Sequence, residues 1–349
     1  MAHQSLYRTY RPATFAEVVG QEQVTRPLEE AVKAKKIGHA YLFSGSRGLG
    51  KTSVARIFAS AIGCTERDRY EIDAASNNSV EDIRALAEGV YTLPFVSPYK
   101  VYILDEVHML SKGAWNAFLK TLEEPPAHAI FILATTELEK VPETVQSRCQ
   151  VFEFKKPARA VLAQMTTAVA KKEGLALAPD AAELIAFLAE GSYRDALSVL
   201  QKVCAAHEGK ALSREAVEAA TGAPRREQVH ALVSALALGE RGKALTVIEQ
   251  AARAGVDMRL FLELVLEALR ATLLIRYAPE FREGLVGDLG ADEFAVLEKF
   301  AVTNVEHPMS YITHETLLAF LTAAERIRYA PIPALPLELA VLGLFKEWE

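Results

Sequence analysis

A parallel sheet covered on both faces, followed by two helical domains, is the fold class predicted by this 349-residue chain, on three observations. Gly45-Ser46-Arg47-Gly48-Leu49-Gly50-Lys51-Thr52 stands between the apolar run Ala40-Tyr41-Leu42-Phe43 and a helix-like run from Ser53 to Ala59. A second run, Lys100-Val101-Tyr102-Ile103-Leu104, ends in Asp105-Glu106. Beyond Pro157 the composition turns alanine-rich, with apolar residues every three or four positions.

The first run reads as strand, loop and helix arranged to hold phosphate. Glycines at 45, 48 and 50 permit positive φ and turn consecutive backbone N–H groups toward phosphate oxygens, and the helix start adds its positive end. Lys51 then reaches the β- and γ-phosphates and the Thr52 hydroxyl ligates Mg²⁺. In the second run, four large side chains suit a parallel strand buried on both faces. Asp105 and Glu106 therefore fall at its carboxyl end, where α/β sheets place their ligands. In an ATPase of this arrangement Asp105 holds the magnesium water shell, and Glu106 polarises the attacking water.

Length fits two or three domains with ample core, and no run approaches a membrane span. The N-terminus carries no apolar signal segment. Cys64, Cys149 and Cys204 form no paired metal-ligand spacing, which suits a reducing cytoplasm. A net charge of −6 disfavours a free-standing polyanion binder, so nucleic-acid contact is local or shared among subunits.

In chain order, residues 5–23 form an aromatic and basic arm through Pro12 to Gly20, which could stack on an adenine or pack the domain edge. Helical spacing resumes at Val24, Leu28 and Val32. Tyr70 to Asp73 reads as a strand. Asn77 to Ser79 can cap a helix with Val80, Ile83, Leu86 and Ala87 on one face. Pro94 and Pro98 mark a loop. His108 lacks a ligand partner at metal spacing and reads as structural. Trp115, Phe118, Leu119 and Leu122 give the helix Ala114–Glu124 an apolar stripe, with Lys120 off it and solvated. Ala129 to Ala134 is another buried strand. Thr135 and Thr136 at its tip could orient the attacking water or sense the γ-phosphate, or simply end the strand. Val151 to Phe154 alternates as a short strand just after Arg148.

Taken in order, Tyr7-Arg8-Thr9-Tyr10-Arg11-Pro12, Val18-Val19-Gly20-Gln21, the phosphate loop, Asp105-Glu106-Val107-His108-Met109-Leu110, Leu119 to Pro126, Ala134-Thr135-Thr136, Ser147-Arg148-Cys149 and Gly191-Ser192-Tyr193-Arg194-Asp195 closely resemble the gamma/tau subunits of the bacterial DNA polymerase III clamp loader. These are AAA+ ATPases. The resemblance implies an AAA+ P-loop ATPase domain at 1–157, a small helical lid domain at 158–222, and an all-α collar at 223–349. It implies ATP and magnesium as ligands, with other loader subunits in a ring, the sliding clamp and a primed DNA junction as partners.

Residue by residue, Arg148 looks like the arginine finger that completes a neighbour's ATP site, and Arg194 matches the second sensor on the γ-phosphate. Thr135 and Thr136 occupy the first-sensor position without indicating which senses. Tyr7, Arg11, Val18 and Val19 would line the adenine pocket. Gly45, Gly48, Leu49, Gly50, Lys51, Thr52 and Ser53 would hold the phosphates. Lys100, Lys112 and Lys120 stand as candidates for DNA contact. A branch-migration-type motor and a non-hydrolysing loader scaffold are the alternatives.

One departure is large. Family members usually carry a four-cysteine zinc module beginning near the position of Cys64, and here Thr-Glu-Arg-Asp-Arg follows it directly. One thiolate makes no structural zinc site, so no zinc is expected in the chain as given. The module is naturally absent, was deleted, or belongs to a segment missing from the sequence. From Pro224 onward, Met258, Phe261, Leu262, Val265, Leu266 and Leu269, then Leu317, Leu318, Phe320 and Leu321, mark amphipathic helices. Longer family forms continue past a collar of this kind into helicase- and polymerase-binding segments, whereas this sequence ends at Glu349.

Overall fold

The computed structural model describes residues 4–207, 209–302 and 312–344. The chain divides into two compact units, Met1–Thr166 with Ala186–Gln201, and Thr167–Ile185 with Lys202–Glu349.

The first unit runs through α1 (Leu6–Thr9), α2 (Glu22–Lys33), β1 (Ala40–Ser44), α3 (Lys51–Ala61), β2 (Arg69–Asp73), α4 (Val80–Val90), β3 (Lys100–Asp105), α5 (Lys112–Glu123), β4 (Ala129–Thr135), α6 (Glu143–Gln146) and β5 (Gln150–Glu153). The strands form one sheet in the order β2-β3-β4-β1-β5, every pairing parallel. Parallel neighbours need long crossovers, and the intervening helices supply them while covering both faces. Strand periodicity sorts the core. Tyr41 and Phe43 point to one side, with Leu28, Val54 and Phe58 of α2 and α3. Leu42 points to the other, with Ile83, Trp115, Phe118 and Leu122 of α4 and α5. β1, β3 and β4 are therefore buried on both faces, as their unbroken apolar runs predict.

Local signals set the helix starts. Ser79 and Asp82 form a reciprocal capping box on α4, with Asp82 N to Ser79 Oγ at 3.1 Å and Ser79 N to Asp82 Oδ2 at 3.2 Å. Ser111 Oγ accepts from Ala114 N, so α5 begins at Lys112, two residues ahead of the predicted start.

Lys100 departs from its expected role in DNA contact. It is only 3% exposed, and its Nζ donates to Gly89 O at 2.8 Å and Thr92 Oγ1 at 2.7 Å. The amine closes the end of α4 and cannot face a nucleic acid. Lys112 and Lys120 remain exposed.

Asp68, just before β2, anchors the loop that sequence marks only by its prolines. It is fully buried and accepts from Phe95 N, Val96 N and Ser97 N at 2.6, 3.0 and 2.8 Å. Burial by itself would raise the carboxyl, but the three backbone donors outweigh it and hold the pKa at about 2. Asp68→Ala should lower the urea unfolding free energy by about 2–4 kcal/mol at neutral pH. Because the folded-state value is depressed, wild type holds this stabilisation above the unfolded pKa of about 4 and loses it as pH falls toward about 2. The gap between the two unfolding curves should close over that window.

Three helices, α7 (Arg159–Lys172), α8 (Pro179–Leu188) and α9 (Tyr193–Ala206), contribute residues to both units. The second unit adds β6 (Ala176–Leu177) and β7 (Ala211–Leu212), a short parallel pair. Its helices are α10 (Arg214–Thr221), α11 (Arg226–Ala237), α12 (Arg241–Arg253), α13 (Met258–Tyr277), α14 (Arg282–Leu289), α15 (Ala291–Val302), α16 (His314–Ile327) and α17 (Leu335–Leu344). Phe261, Leu262, Val265 and Leu269 of α13 are buried at its centre, as their spacing predicts. On α16 the predicted stripe needs correction. Thr316, Phe320, Ala323 and Ile327 form the buried face, while Leu318 and Leu321 are 57% and 46% exposed. Residues 303–311 and 345–349 of the predicted collar lie outside the described residues.

Candidate active site

The carboxyl ends of β1 and β3 open onto a cavity of about 240 Å³. Tyr7, Arg11, Val18, Val19, Gly48, Leu49, Gly50, Lys51, Thr52, Ser53, Asp105, Glu106 and Arg194 all line it. Most of the residues singled out in the sequence thus come together from segments up to 187 positions apart, Tyr7 to Arg194. Tyr10, Pro12, Glu17, Met165, Tyr193 and Leu197 also line the cavity and were not anticipated as site residues. For Leu197 a signal existed, since it lies three residues after Arg194 and so on the same face of α9. Met165 has no comparable signal.

The loop has the backbone that its glycines predict, with φ of 137°, 79° and 93° at Gly45, Gly48 and Gly50. Gly48 is doubly constrained. A Cβ there would lie 1.9 Å from Ser192 Oγ, and its carbonyl accepts from Tyr193 N at 3.1 Å. This close approach delivers Arg194 to the cavity. Gly45 stands behind the lining, and its carbonyl accepts from Lys51 Nζ at 2.6 Å, with Ser46 O at 2.9 Å. Burial pushes the Lys51 pKa down, and the Glu106 and Asp105 carboxylates oppose that shift.

Thr52 Oγ1 donates to Asp105 Oδ2 at 2.7 Å. A hydroxyl and a carboxylate at this separation are hard oxygen donors of the kind Mg²⁺ takes, with water and phosphate oxygens completing its shell. Among the described residues no group of three or more His, Cys, Asp or Glu could cage a metal by itself. The pair therefore fits a cation shared with a bound phosphate. Cys64 is buried and free, with burial raising its thiol pKa.

Glu106 directly follows β3 in a left-handed backbone, φ 50° and ψ 44°. Its Oε2 accepts from Thr136 Oγ1 at 3.1 Å. Thr135 is fully buried and accepts from Glu137 N at 3.0 Å. His108 is in contact with this group, its Nδ1 3.1 Å from Thr135 Oγ1 and 3.4 Å from Glu106 Oε2. Sequence spacing could not reveal this, because the contacts depend on the β3 and β4 tips lying side by side.

The Arg194 guanidinium lies 4.7 Å from the Tyr7 ring centroid. A hydrogen bond from Arg194, aided by Ser5 and Arg8, lowers the Tyr7 hydroxyl pKa to about 8. An ultraviolet titration should find one phenolate forming near that pH, and Arg194→Ala should return it toward the ordinary tyrosine range. Tyr7→Phe removes the step and identifies its source.

Arg148 does not line the cavity. Its Nη2 donates to Glu123 Oε1 at 2.6 Å and its Nη1 to Thr144 O at 2.6 Å, with 35% of the side chain exposed.

A five-stranded parallel sheet of this order, with a phosphate loop after β1 and paired carboxylates at the carboxyl end of β3, is an AAA+ P-loop fold. The Thermotoga maritima RuvB Holliday junction branch migration motor has the same fold, with a TM-score of 0.53 and 20% identity over 66% of this chain and 80% of that one. A family model described as DNA polymerase III, delta subunit matches residues 20–80 and 69–158, and one described as DNA polymerase III subunits gamma and tau domain III matches residues 212–347. The chain belongs to the DNA polymerase III gamma/tau family.

Among its relatives, the tau subunit of Bacillus subtilis is 38% identical over 359 residues, covering 94% of this chain and 63% of that protein. The Escherichia coli tau subunit is 36% identical, covering 98% and 55%. The gamma/tau subunit of Mycoplasma pneumoniae is 43% identical, covering 61% and 34%. The chain thus spans little more than half the length of the first two.

Proposed function

We propose that this chain is the ATP-hydrolysing motor subunit of the DNA polymerase III clamp loader, using ATP to open the sliding clamp and place it on primed DNA. The observation that carries the reading is the Thr52–Asp105 hydrogen bond at the phosphate loop, with Glu106 beside it in one cavity. Lys51 and the loop N–H groups hold the β- and γ-phosphates, while Tyr7, Arg11, Val18 and Val19 enclose the adenine side. Glu106 takes a proton from the water whose oxygen bonds to the γ-phosphorus. The bond from that phosphorus to the bridging oxygen breaks, leaving ADP and phosphate. Magnesium, when bound by Thr52 and through water by Asp105, neutralises charge on the phosphate oxygens.

Thr136, in contact with Glu106, orients the carboxylate and its water, and the buried Thr135 supports the strand tip behind it. Arg194 meets the γ-phosphate of its own subunit. Arg148, held away from its own cavity, serves a neighbour's. We assign residues 1–157 to the ATPase domain, 158–222 to a lid and 223–349 to a collar that joins the loader subunits in a ring. Lys112 and Lys120 are the exposed candidates for backbone contact with the DNA junction. Among the described residues no helix is long and apolar enough to cross a membrane. The cytoplasm is the location we propose, on the strength of the replication-protein relatives.

Steady-state ATP hydrolysis by the chain alone, and after reconstitution with the other loader subunits, clamp and primed DNA, tests the reading. Strong stimulation on assembly is the expected result. A chain already fast alone and indifferent to its partners would instead be a self-contained motor of the branch-migration type. Absence of turnover in the full assembly would make it a non-hydrolysing scaffold.

A further inference from the structure

We infer that His108 is a positioning residue that fixes the Glu106 carboxylate against the tip of β4, an inference resting on the assignment of Glu106 as the base. The imidazole is only 8% exposed and lies among three side chains from two strand ends. Its Nδ1 is 3.1 Å from Thr135 Oγ1 and 3.4 Å from Glu106 Oε2, and its Nε2 is 3.2 Å from Glu137 Oε1.

Both ring nitrogens have polar partners. Thr135 Oγ1 accepts from Glu137 N and keeps a second lone pair and its own proton, so it pairs with Nδ1 in either direction. On the other side of the ring, Nε2 meets the Glu137 carboxylate at 3.2 Å. The ring is thus held between Thr135 and Glu137, and its Nδ1 edge stands 3.4 Å from Glu106 Oε2, where an Nδ1 proton would be shared with the carboxylate.

Glu106 needs such a neighbour. Its backbone is left-handed, and among the described residues Thr136 is the side-chain donor hydrogen-bonded to its carboxylate. A single hydrogen bond leaves the carboxylate free to swing about the Thr136 contact. The imidazole removes that freedom and couples the carboxylate to Thr135 and Glu137 on β4 and the turn after it.

The test compares His108→Ala, His108→Asn and His108→Gln in the reconstituted assembly, with Glu106→Gln alongside and melting temperatures for all. The Asn carboxamide can occupy the Nδ1 position and the Gln carboxamide the Nε2 position. Expected is a fall in kcat of about tenfold to hundredfold for Ala and Gln, with KM for ATP and melting temperature close to wild type, and substantial recovery in Asn. The inference is overturned if all three variants keep wild-type kcat, if Asn is as slow as Ala, or if activity falls only in step with melting temperature. Impaired Glu106→Gln beside unimpaired His108→Ala overturns this inference alone. Unimpaired Glu106→Gln overturns the assignment of the base, and the inference with it.

Discussion

Arg148→Ala should lower ATP turnover of the assembled complex by about 10³-fold or more while leaving nucleotide binding by the isolated chain unchanged. The size follows from the chemistry of the γ-phosphoryl group, whose spreading charge is offset by a guanidinium brought to it at the transition state. The selectivity follows from position, since Arg148 lies outside its own cavity and is paired with Glu123. Equal loss in the isolated chain and the assembly would place Arg148 in its own site. An exposed pair such as Arg148–Glu123 contributes only about 0–1 kcal/mol, so a neighbouring triphosphate can readily displace it.

Glu106→Gln should reduce single-turnover hydrolysis by about 10²- to 10⁴-fold with the affinity for ATP little changed. The amide keeps the shape and can still accept from Thr136, but it cannot take the proton of water. Filter binding of radiolabelled ATP and quench-flow hydrolysis separate these two quantities. A large loss of binding would mean that Glu106 acts in holding the nucleotide. Asp105→Asn is the informative contrast, because Asp105 meets Thr52 rather than the base network and its loss should weaken magnesium-dependent binding first.

Residues tied to a local backbone requirement were legible in the sequence. Three glycines before Lys51-Thr52, and two carboxylates ending an apolar run, each state their own geometry, and the structure brings Gly48, Gly50, Lys51, Thr52, Asp105 and Glu106 to one cavity. A cap within Asn77 to Ser79 was legible for the same reason, and Ser79 supplies it. Residues defined by what packs across from them were not legible. Lys100 has the composition of a surface cation, yet lies over the Tyr70 ring at 5.0 Å with its amine bound to the end of α4. Leu318 and Leu321 have the composition of a core, yet the buried face of α16 passes through Phe320. His108 depends on the pairing of β3 with β4, a fact about register that no window of neighbouring residues contains.

The left-handed backbone at Glu106 sets folding and chemistry against each other at one position. For a residue with a Cβ this conformation costs about 1–2 kcal/mol relative to the right-handed region, and glycine escapes that penalty. Glu106→Gly should therefore melt no lower than wild type, with the greater freedom of glycine in the unfolded chain offsetting part of the relief. Turnover would be lost with the carboxylate. Selection for heat resistance alone would thus be free to discard this residue, and under the proposed function its presence reflects work on phosphate rather than any demand of the fold.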